Sequence, residues 1–308
     1  MKRFIVLLII LFNLKLLSME SIQKTDIFKA VGYSYSQTEI VEKLLENGAN
    51  INETDEKGRT LLMLAALYNQ KDTLNLLINK NACIDLQDNE GKNALHHAAK
   101  PYYNTTKTIE ELHTEKIKNQ EIIKKLIDLG LPINAQDNAG QTPLILACKH
   151  ENKEAVNILI NNNEIEIDLQ DNNGKTAIMY ATIFQNFDII KMLLNYNANI
   201  NLLDKENDTP LMYAVMLKNL NILELLLKEK ANPNIKNNKG QFPLTYAAKE
   251  HHNDIEGYTQ IIKVLLDYGA DPRVQDKFKN TALTYVTRRK NQELINIIKQ
   301  AIEKLNHN

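Results

Sequence analysis

The side chains able to do chemistry are few. His96 and His97 stand side by side, and His251, His252, Asp254 and Glu256 fall within one short stretch. Imidazole and carboxylate are zinc ligands, but a zinc site needs three or four of them converging at about 2.0–2.2 Å, and this spacing enforces no such convergence. A solvated loop is the expected reading. His113 lies too far along the chain to help. Cys83 and Cys148 are the only cysteines and are widely separated, which gives neither a disulfide framework nor a cysteine-rich metal site. No phosphate-cradling G-x-x-x-x-G-K-S/T, dinucleotide G-x-G-x-x-G, nucleophile-elbow G-x-S-x-G or zincin H-E-x-x-H occurs. Tyr180, Tyr213, Tyr246 and Tyr285 recur at steps of 33, 33 and 39 residues, which invites a stacking platform. The same slot holds Leu64 and Leu146, so packing between repeats is the expectation for it. No catalytic residue, metal, cofactor or small-molecule substrate is expected.

The elements that carry these residues follow from length and period. A chain of 308 residues is long for one compact core, so it forms two domains or an extended repeat array. With 44% hydrophobic and 24% charged residues it is not disordered as a whole. Lys plus Arg (37) nearly cancels Asp plus Glu (38), so there is no basic surplus to neutralise phosphates and no nucleic-acid partner is expected.

Met1-Lys2-Arg3 precedes an unbroken apolar run from Phe4 to Phe12 that continues less strictly to Leu17. A basic start, an apolar run and a short exit is the layout of a secretory signal over residues 1–18, although a cut after Ser18 leaves Leu16 where a small residue is preferred. The 14 residues from Phe4 to Leu17 reach about 21 Å as a helix, short of the ~30 Å hydrocarbon core. The expectation is an exported protein, periplasmic, envelope-associated or secreted. The alternative is a membrane-tethered structural or scaffolding protein of the cell envelope, anchored by residues 4–17. The Lys-, Asn- and Ile-heavy composition fits an AT-rich bacterial genome.

Self-similarity is the main signal. Gly58-Arg-Thr-Leu-Leu-Met-Leu-Ala-Ala66 recurs from Gly91, Gly140, Gly174, Asn207, Gly240 and Lys279, at spacings of 33, 49, 34, 33, 33 and 39. The period is 33, with 16 extra residues in one unit and 6 in another. Three residues before each block stands Asp55, Asp88, Asp137, Asp171, Asp204, Asn237 or Asp276, which is turn chemistry. Asn207 tolerates the left-handed backbone that Gly supplies elsewhere, and Lys279 does so less well. A second motif follows, as in Ile40-Val-Glu-Lys-Leu-Leu-Glu-Asn-Gly-Ala-Asn-Ile-Asn52 and from Ile122, Ile189, Ile222 and Ile261. Its apolar positions i, i+1, i+4 and i+5, ended by Gly48, Gly130 or Gly269, describe an amphipathic helix with a left-handed cap.

The combined pattern, D-x-x-G-x-T-P-L-x-x-A-A and then I-V-x-x-L-L-x-x-G-A-x-I-N over about residues 24–308, resembles the ankyrin-repeat proteins, here of a bacterial, exported type. The resemblance implies a mainly α solenoid of about eight helix–turn–helix units with β-hairpin fingers, the first and last acting as caps. The units run about 24–54, 55–87, 88–136 with an insertion at 101–116, 137–170, 171–203, 204–236, 237–275 and 276–308. It also implies a structural role for His96, bonding neighbouring backbone; His97, in the slot of Leu64 and Leu146, is expected to pack.

Function then rests on surface. The resemblance implies a non-catalytic, monomeric module that binds a protein through its concave face, its finger tips and the two residues after each Ala-Ala. Finger tips such as Lys205-Glu206 and Asn238-Lys239 carry mixed charge and steer no single partner class. Ile183, Phe184, Met216 and Leu217 are apolar where polar residues would serve, and Leu67-Tyr68 repeats the pattern. Thr108-Ile-Glu-Glu111 in the insertion is a capping box, predicting a helix from about Ile109 to Asp128 that projects beyond its neighbours with Tyr102 and Tyr103 at its base.

Overall fold

The computed structural model describes residues 24–32, 38–100, 108–250 and 255–306. The leader at 1–18, Tyr102, Tyr103, His251, His252 and Asp254 lie outside the described residues. Within them the chain is helical and forms successive hairpins: α1 (Lys24–Gly32) with α2 (Thr38–Glu46), α3 (Leu61–Leu67) with α4 (Lys71–Asn79), and α5 (Ala94–Ala99) with α6 (Ile109–Asp128). Then come α7 (Pro143–Lys149) with α8 (Lys153–Ile160), α9 (Ala177–Ile183) with α10 (Phe187–Asn195), and α11 (Pro210–Met216) with α12 (Leu220–Lys228). The last are α13 (Pro243–Glu250) with α14 (Ile255–Asp267), and α15 (Ala282–Arg288) with α16 (Gln292–Asn306). No described helix is long and apolar enough to cross a membrane.

The chain divides into two compact units, one ending at Pro132 and one beginning at Ile133. In the first, α3 packs between α1 and α5, and α4 packs between α2 and α6. In the second, the short helices α7, α9, α11, α13 and α15 pack each on the next, and each is backed by its own longer partner.

This layering dictates the two helix types. A short helix has neighbours on every side, so Leu144 to Cys148 and Ala177 to Thr182 are buried throughout. Thr142 and Thr209 start such helices by accepting the N–H of Ile145 and Met212, and Pro143 and Pro210 follow at the first helical position, where a missing N–H costs nothing. A longer helix buries one stripe only. Ile189, Ile190 and Leu193 are buried on α10 while Asp188 and Lys191 are exposed. Each fully buried leucine or isoleucine contributes roughly 1.5–3 kcal/mol relative to an exposed one.

The connecting fingers are tight turns and not strand pairs. Asp171 Oδ1 accepts the N–H groups of both Asn173 and Lys175, at 2.8 and 2.9 Å. Equivalent double acceptance occurs at Asp55, Asp88, Asp137, Asp204, Asn237 and Asp276. A side chain thus takes donors that a hairpin would give to carbonyls across the ladder, and Thr54–Thr60 is the lone β-bridge among the described residues. Each finger is thus a hairpin-like turn closed by a backbone bond, as from Asp171 N–H to Lys175 O, without an extended strand ladder. Successive turns are still stitched together: Asn172 N–H donates to Ala139 O, Lys205 N–H to Asn173 O, and Asn238 N–H to Glu206 O. The approach is close enough that a Cβ on Gly140 would lie 2.7 Å from the Asn172 nitrogen. Asn207 and Lys279 take the glycine's place with φ of 59° and 61°.

Candidate interaction surface

The paired residues after Ala-Ala occupy one defined position. Ile183 and Met216 are the last residues of α9 and α11, and Phe184 and Leu217 are their C-caps; Leu67 and Tyr68 stand likewise on α3. The residue beyond each cap is left-handed: Asn69, Glu151, Gln185, Lys218 and Lys290 have φ between 54° and 59°. The next N–H then reaches back into the helix, as Asn186 N–H does to Ala181 O and Asn219 N–H to Ala214 O. That closure satisfies the orphan carbonyls and turns the chain sharply, so the cap residue is left at the rim. Phe184 is 44% and Leu217 38% exposed, whereas Ile183 and Met216 are half-buried between neighbouring helices. Leu67 and Tyr68 are also half-buried. A polar start to the following helix fixes the turn from the other side: Asn186 and Asn219 accept the N–H of Ile189 and Ile222.

The tyrosine column is more than packing. Tyr180 Oη donates to Asp171 Oδ2 at 2.6 Å, and Tyr213 and Tyr285 donate in the same way to Asp204 and Asp276. In the first unit His97 Nε2 meets Asp88 Oδ2 at 2.8 Å in the equivalent place. These four aromatics therefore tie their short helices to the finger nine residues earlier, and the expectation of simple packing is corrected for His97, Tyr180, Tyr213 and Tyr285. The sequence carried the signal as a spacing: a finger Asp with Tyr or His nine positions on. Where Leu64 fills the slot, Arg59 takes over, clamping Asp55 Oδ2 with Nε at 2.9 Å and Nη2 at 2.7 Å. His96 is fully buried, and its Nδ1 accepts the Asn93 backbone N–H, the structural role expected of it.

These bonds set the local electrostatics. Burial alone would raise the Asp204 carboxyl, but the Tyr213 hydroxyl, the Lys175 ammonium and the Asp208 N–H outweigh it and hold it below its ordinary value. Burial and then the Asp204 carboxylate push the Tyr213 phenol well above its usual range. Asp88 is depressed in the same manner: burial, the largest influence, raises it, but the His97 hydrogen bond and the Lys92 and Glu90 N–H groups together outweigh it. Asp208 goes the other way: burial raises it, and the Asn237 amide that donates to it at 2.8 Å only partly offsets this. Lysines lie over the column, Lys149 Nζ at 5.0 Å from the Tyr180 ring centre and Lys175 Nζ at 5.6 Å from that of Tyr213.

The insertion helix α6 has the expected bounds and cap, with Thr108 N–H donating to Glu111 Oε2 at 2.8 Å. Its expected projection is limited to the first turns. From Glu115 onward it is braced: Asn69 Nδ2 donates to Glu115 Oε2 at 3.0 Å, Lys71 pairs with Glu121 at 2.7 Å, and buried Asn119 donates to Ala98 O. A groove of about 330 Å³ remains beside Tyr68, Lys71 and exposed Ile117. Phe278 breaks the expected polar character of the finger tips: it is 66% exposed, with Lys277 Nζ 5.1 Å from its ring centre. Cys83 is exposed and Cys148 fully buried, both as free thiols, and burial pushes the Cys148 thiol far up. Among the described residues no three His, Cys, Asp or Glu side chains group as a metal would require.

Comparison with known proteins gives a consistent picture. The model of ankyrin repeats in three copies matches residues 27–118, 112–204 and 194–256, and that of ankyrin repeats in many copies matches 244–302. The chain is 33% identical over 129 residues to human transient receptor potential cation channel subfamily A member 1, covering 42% of this chain and 10% of that protein. It is 31% identical over 136 residues to the nuclear factor NF-kappa-B p105 subunit of Gallus gallus, covering 43% of this chain and 12% of the relative. A putative ankyrin repeat protein of fowlpox virus is 30% identical over 133 residues, 42% of this chain and 35% of its own. The chain thus spans a small part of these relatives' length. Among solved structures, the ankyrin repeat domain of Bcl-3 superposes with a TM-score of 0.60 at 23% identity, over 75% of this chain and 95% of that one. An ankyrin repeat domain from Acinetobacter baumannii does so at 0.58 and 25% identity, over 67% and 96%.

Proposed function

Because the chain belongs to the ankyrin-repeat family, we propose that it is a non-catalytic module that binds a protein partner, with Ile183, Phe184, Met216 and Leu217 at the centre of the contact. Ankyrin repeats imply protein–protein interaction, and the observation that carries the finer reading is the rim placement of these four residues. Two adjacent caps expose Phe184 and Leu217, each beside a half-buried apolar neighbour, on helices that pack directly on one another. Aromatic and aliphatic side chains that a rigid scaffold holds at a surface are the usual energetic centre of an interface. Leu67 and Tyr68 hold the same cap position in the first unit, with the α6 groove beside them, and Tyr102 and Tyr103 belong to the adjoining insertion. Binding is by a monomer, without cofactor or small-molecule substrate.

The test is a crosslinking pull-down from the native source, using wild type and a variant with serine at Ile183, Phe184, Met216 and Leu217. Loss of one partner in the folded variant is the expected result; the same partners in both would move the contact elsewhere. The proposal extends to location: the Met1-Lys2-Arg3 start and the apolar run to Leu17 support export, with residues 4–17 as a retained tether in the alternative. A purified N-terminus near Met19 means export, and an intact Met1 means a tether.

A further inference from the structure

We infer that the contact surface of the second unit takes an acidic, apolar-anchored protein segment, with apolar side chains on Ile183, Phe184, Met216 and Leu217 and carboxylates over the last two repeats. This rests on the reading of those four residues as the contact centre and adds the chemistry of what meets them. The positions equivalent to Ile183 and Met216 are basic on the flanking short helices, although Lys249 pairs with Glu250 beside it. Lys149 ends α7 on one side, Lys249 lies in the last turn of α13, and Arg288, Arg289 and Lys290 close α15 on the other. Glu151 and Glu250 are the acidic residues of that row, so its balance is clearly positive in a chain whose overall net charge is −1.

Position as well as composition supports this. Lys149 lies over the Tyr180 ring, and Lys249 and Arg288 stand three residues after Tyr246 and Tyr285 on their helices. All three therefore share the helix face that carries the tyrosine column. Arg288, Arg289 and Lys290 are exposed, and no acidic side chain among the described residues forms an ion pair with them. Desolvated apolar centre with a charged rim is the arrangement in which complementary charge sets partner choice and association rate. Packed helices lie about 8–10 Å apart, so the α9 and α11 caps are one such step apart and the α15 cap is two steps beyond α11. An extended chain covers ~3.3 Å per residue, so two anchors about three residues apart, followed some six residues later by Asp or Glu, would fit. A nucleic acid would meet the cations but would leave the apolar caps without partners, so a protein segment is favoured.

The experiment is selection from a library of random peptides of about twelve residues, long enough to span the row, on the immobilised full chain. Selection is repeated on folded R288E/R289E and on folded F184S/L217S. The expected outcome is enrichment of sequences with an apolar pair and a downstream run of Asp and Glu. Their affinity should fall about tenfold on R288E/R289E at low salt, with the difference shrinking as salt screens the rim. A synthetic version with Lys in place of the acidic residues should prefer R288E/R289E. Enriched peptides without acidic residues, or ones indifferent to R288E/R289E, overturn the inference while leaving the contact centre standing if F184S/L217S abolishes them. Peptides indifferent to both variants overturn both readings. A single-stranded oligonucleotide that displaces the peptides at equal or lower concentration also overturns the inference.

Discussion

The fifth and sixth fingers, at Asp204 and Asn237, differ from the rest by one exchanged pair, and Asn237→Asp tests what that pair does. Every other finger has Asp at this position, and the place of Asp208 is held elsewhere by Arg59, Lys92, Gln141, Lys175, Gln241 or Asn280. Asp208 and Asn237 are 4% and 3% exposed, and Asn237 Nδ2 donates to Asp208 Oδ1 at 2.8 Å. Restoring Asp at 237 would keep its acceptance of the Lys239 and Gln241 N–H groups but set a second carboxylate against Asp208. With carboxyl centres about 4 Å apart at an effective dielectric near 20, repulsion would be about 4 kcal/mol. The alternative is to protonate one carboxyl, which at pH 7 costs about 4 kcal/mol for an ordinary aspartate and less for Asp208, already raised by burial. The cheaper route governs, so the expected loss is about 2–4 kcal/mol at pH 7. It should diminish as the pH falls and the pair takes up a proton. Urea denaturation at pH 7 and pH 5 measures it. The double change Asp208→Asn with Asn237→Asp should recover most of the loss, because the amide then donates in the opposite direction and Tyr246 gains a finger carboxylate such as Tyr213 has. A single variant within about 0.5 kcal/mol of wild type at pH 7, or a double variant no better than the single, would refute the reasoning.

Other outcomes follow from the same contacts. Asp208 has a raised folded pKa, so its contribution is favourable when protonated and is lost as pH rises; Asp208→Asn should therefore raise the urea midpoint at pH 7 more than at pH 4. Asp88, Asp204 and Asp276 are depressed, so the stability they supply is present above the unfolded value near 3.9 and lost as pH falls through their lower folded values. Tyr213→Phe should cost about 1–2 kcal/mol and move the onset of acid unfolding upward. Gly140→Ala meets both a positive φ and Asn172 backbone at 2.7 Å, whereas Gly48→Ala has a positive φ but open space; calorimetry should show the larger loss for Gly140→Ala. Thr176 Oγ1 is buried without a partner while Thr142 caps α7, so Thr176→Val should be neutral or stabilising and Thr142→Val should cost about 1 kcal/mol.

The sequence by itself determined the repeat, because the period of 33 is written in residues whose local chemistry has one solution each: Asp before Gly for a turn, Thr-Pro to begin a helix, and Gly48, Gly130 and Gly269 at left-handed caps. It also determined where α6 begins, through a capping box that needs no distant partner. What only the tertiary structure decided involves groups that meet once helix, finger and neighbouring repeat are packed. The spacing of nine from finger Asp to Tyr or His was legible, but the bond it signals, and its replacement by Arg59 where Leu64 stands, needed the helix folded against its finger. Nor does local sequence show that α6 is braced by Asn69 and Lys71, since that contact joins residues some 46 positions apart. The contact surface is divided in the same way. The apolar type of Ile183, Phe184, Met216 and Leu217 was visible at once, but their exposure depends on the left-handed closure of each short helix and on how much of the side chain its neighbour covers. That is a property of packed layers, which a single repeat unit does not possess.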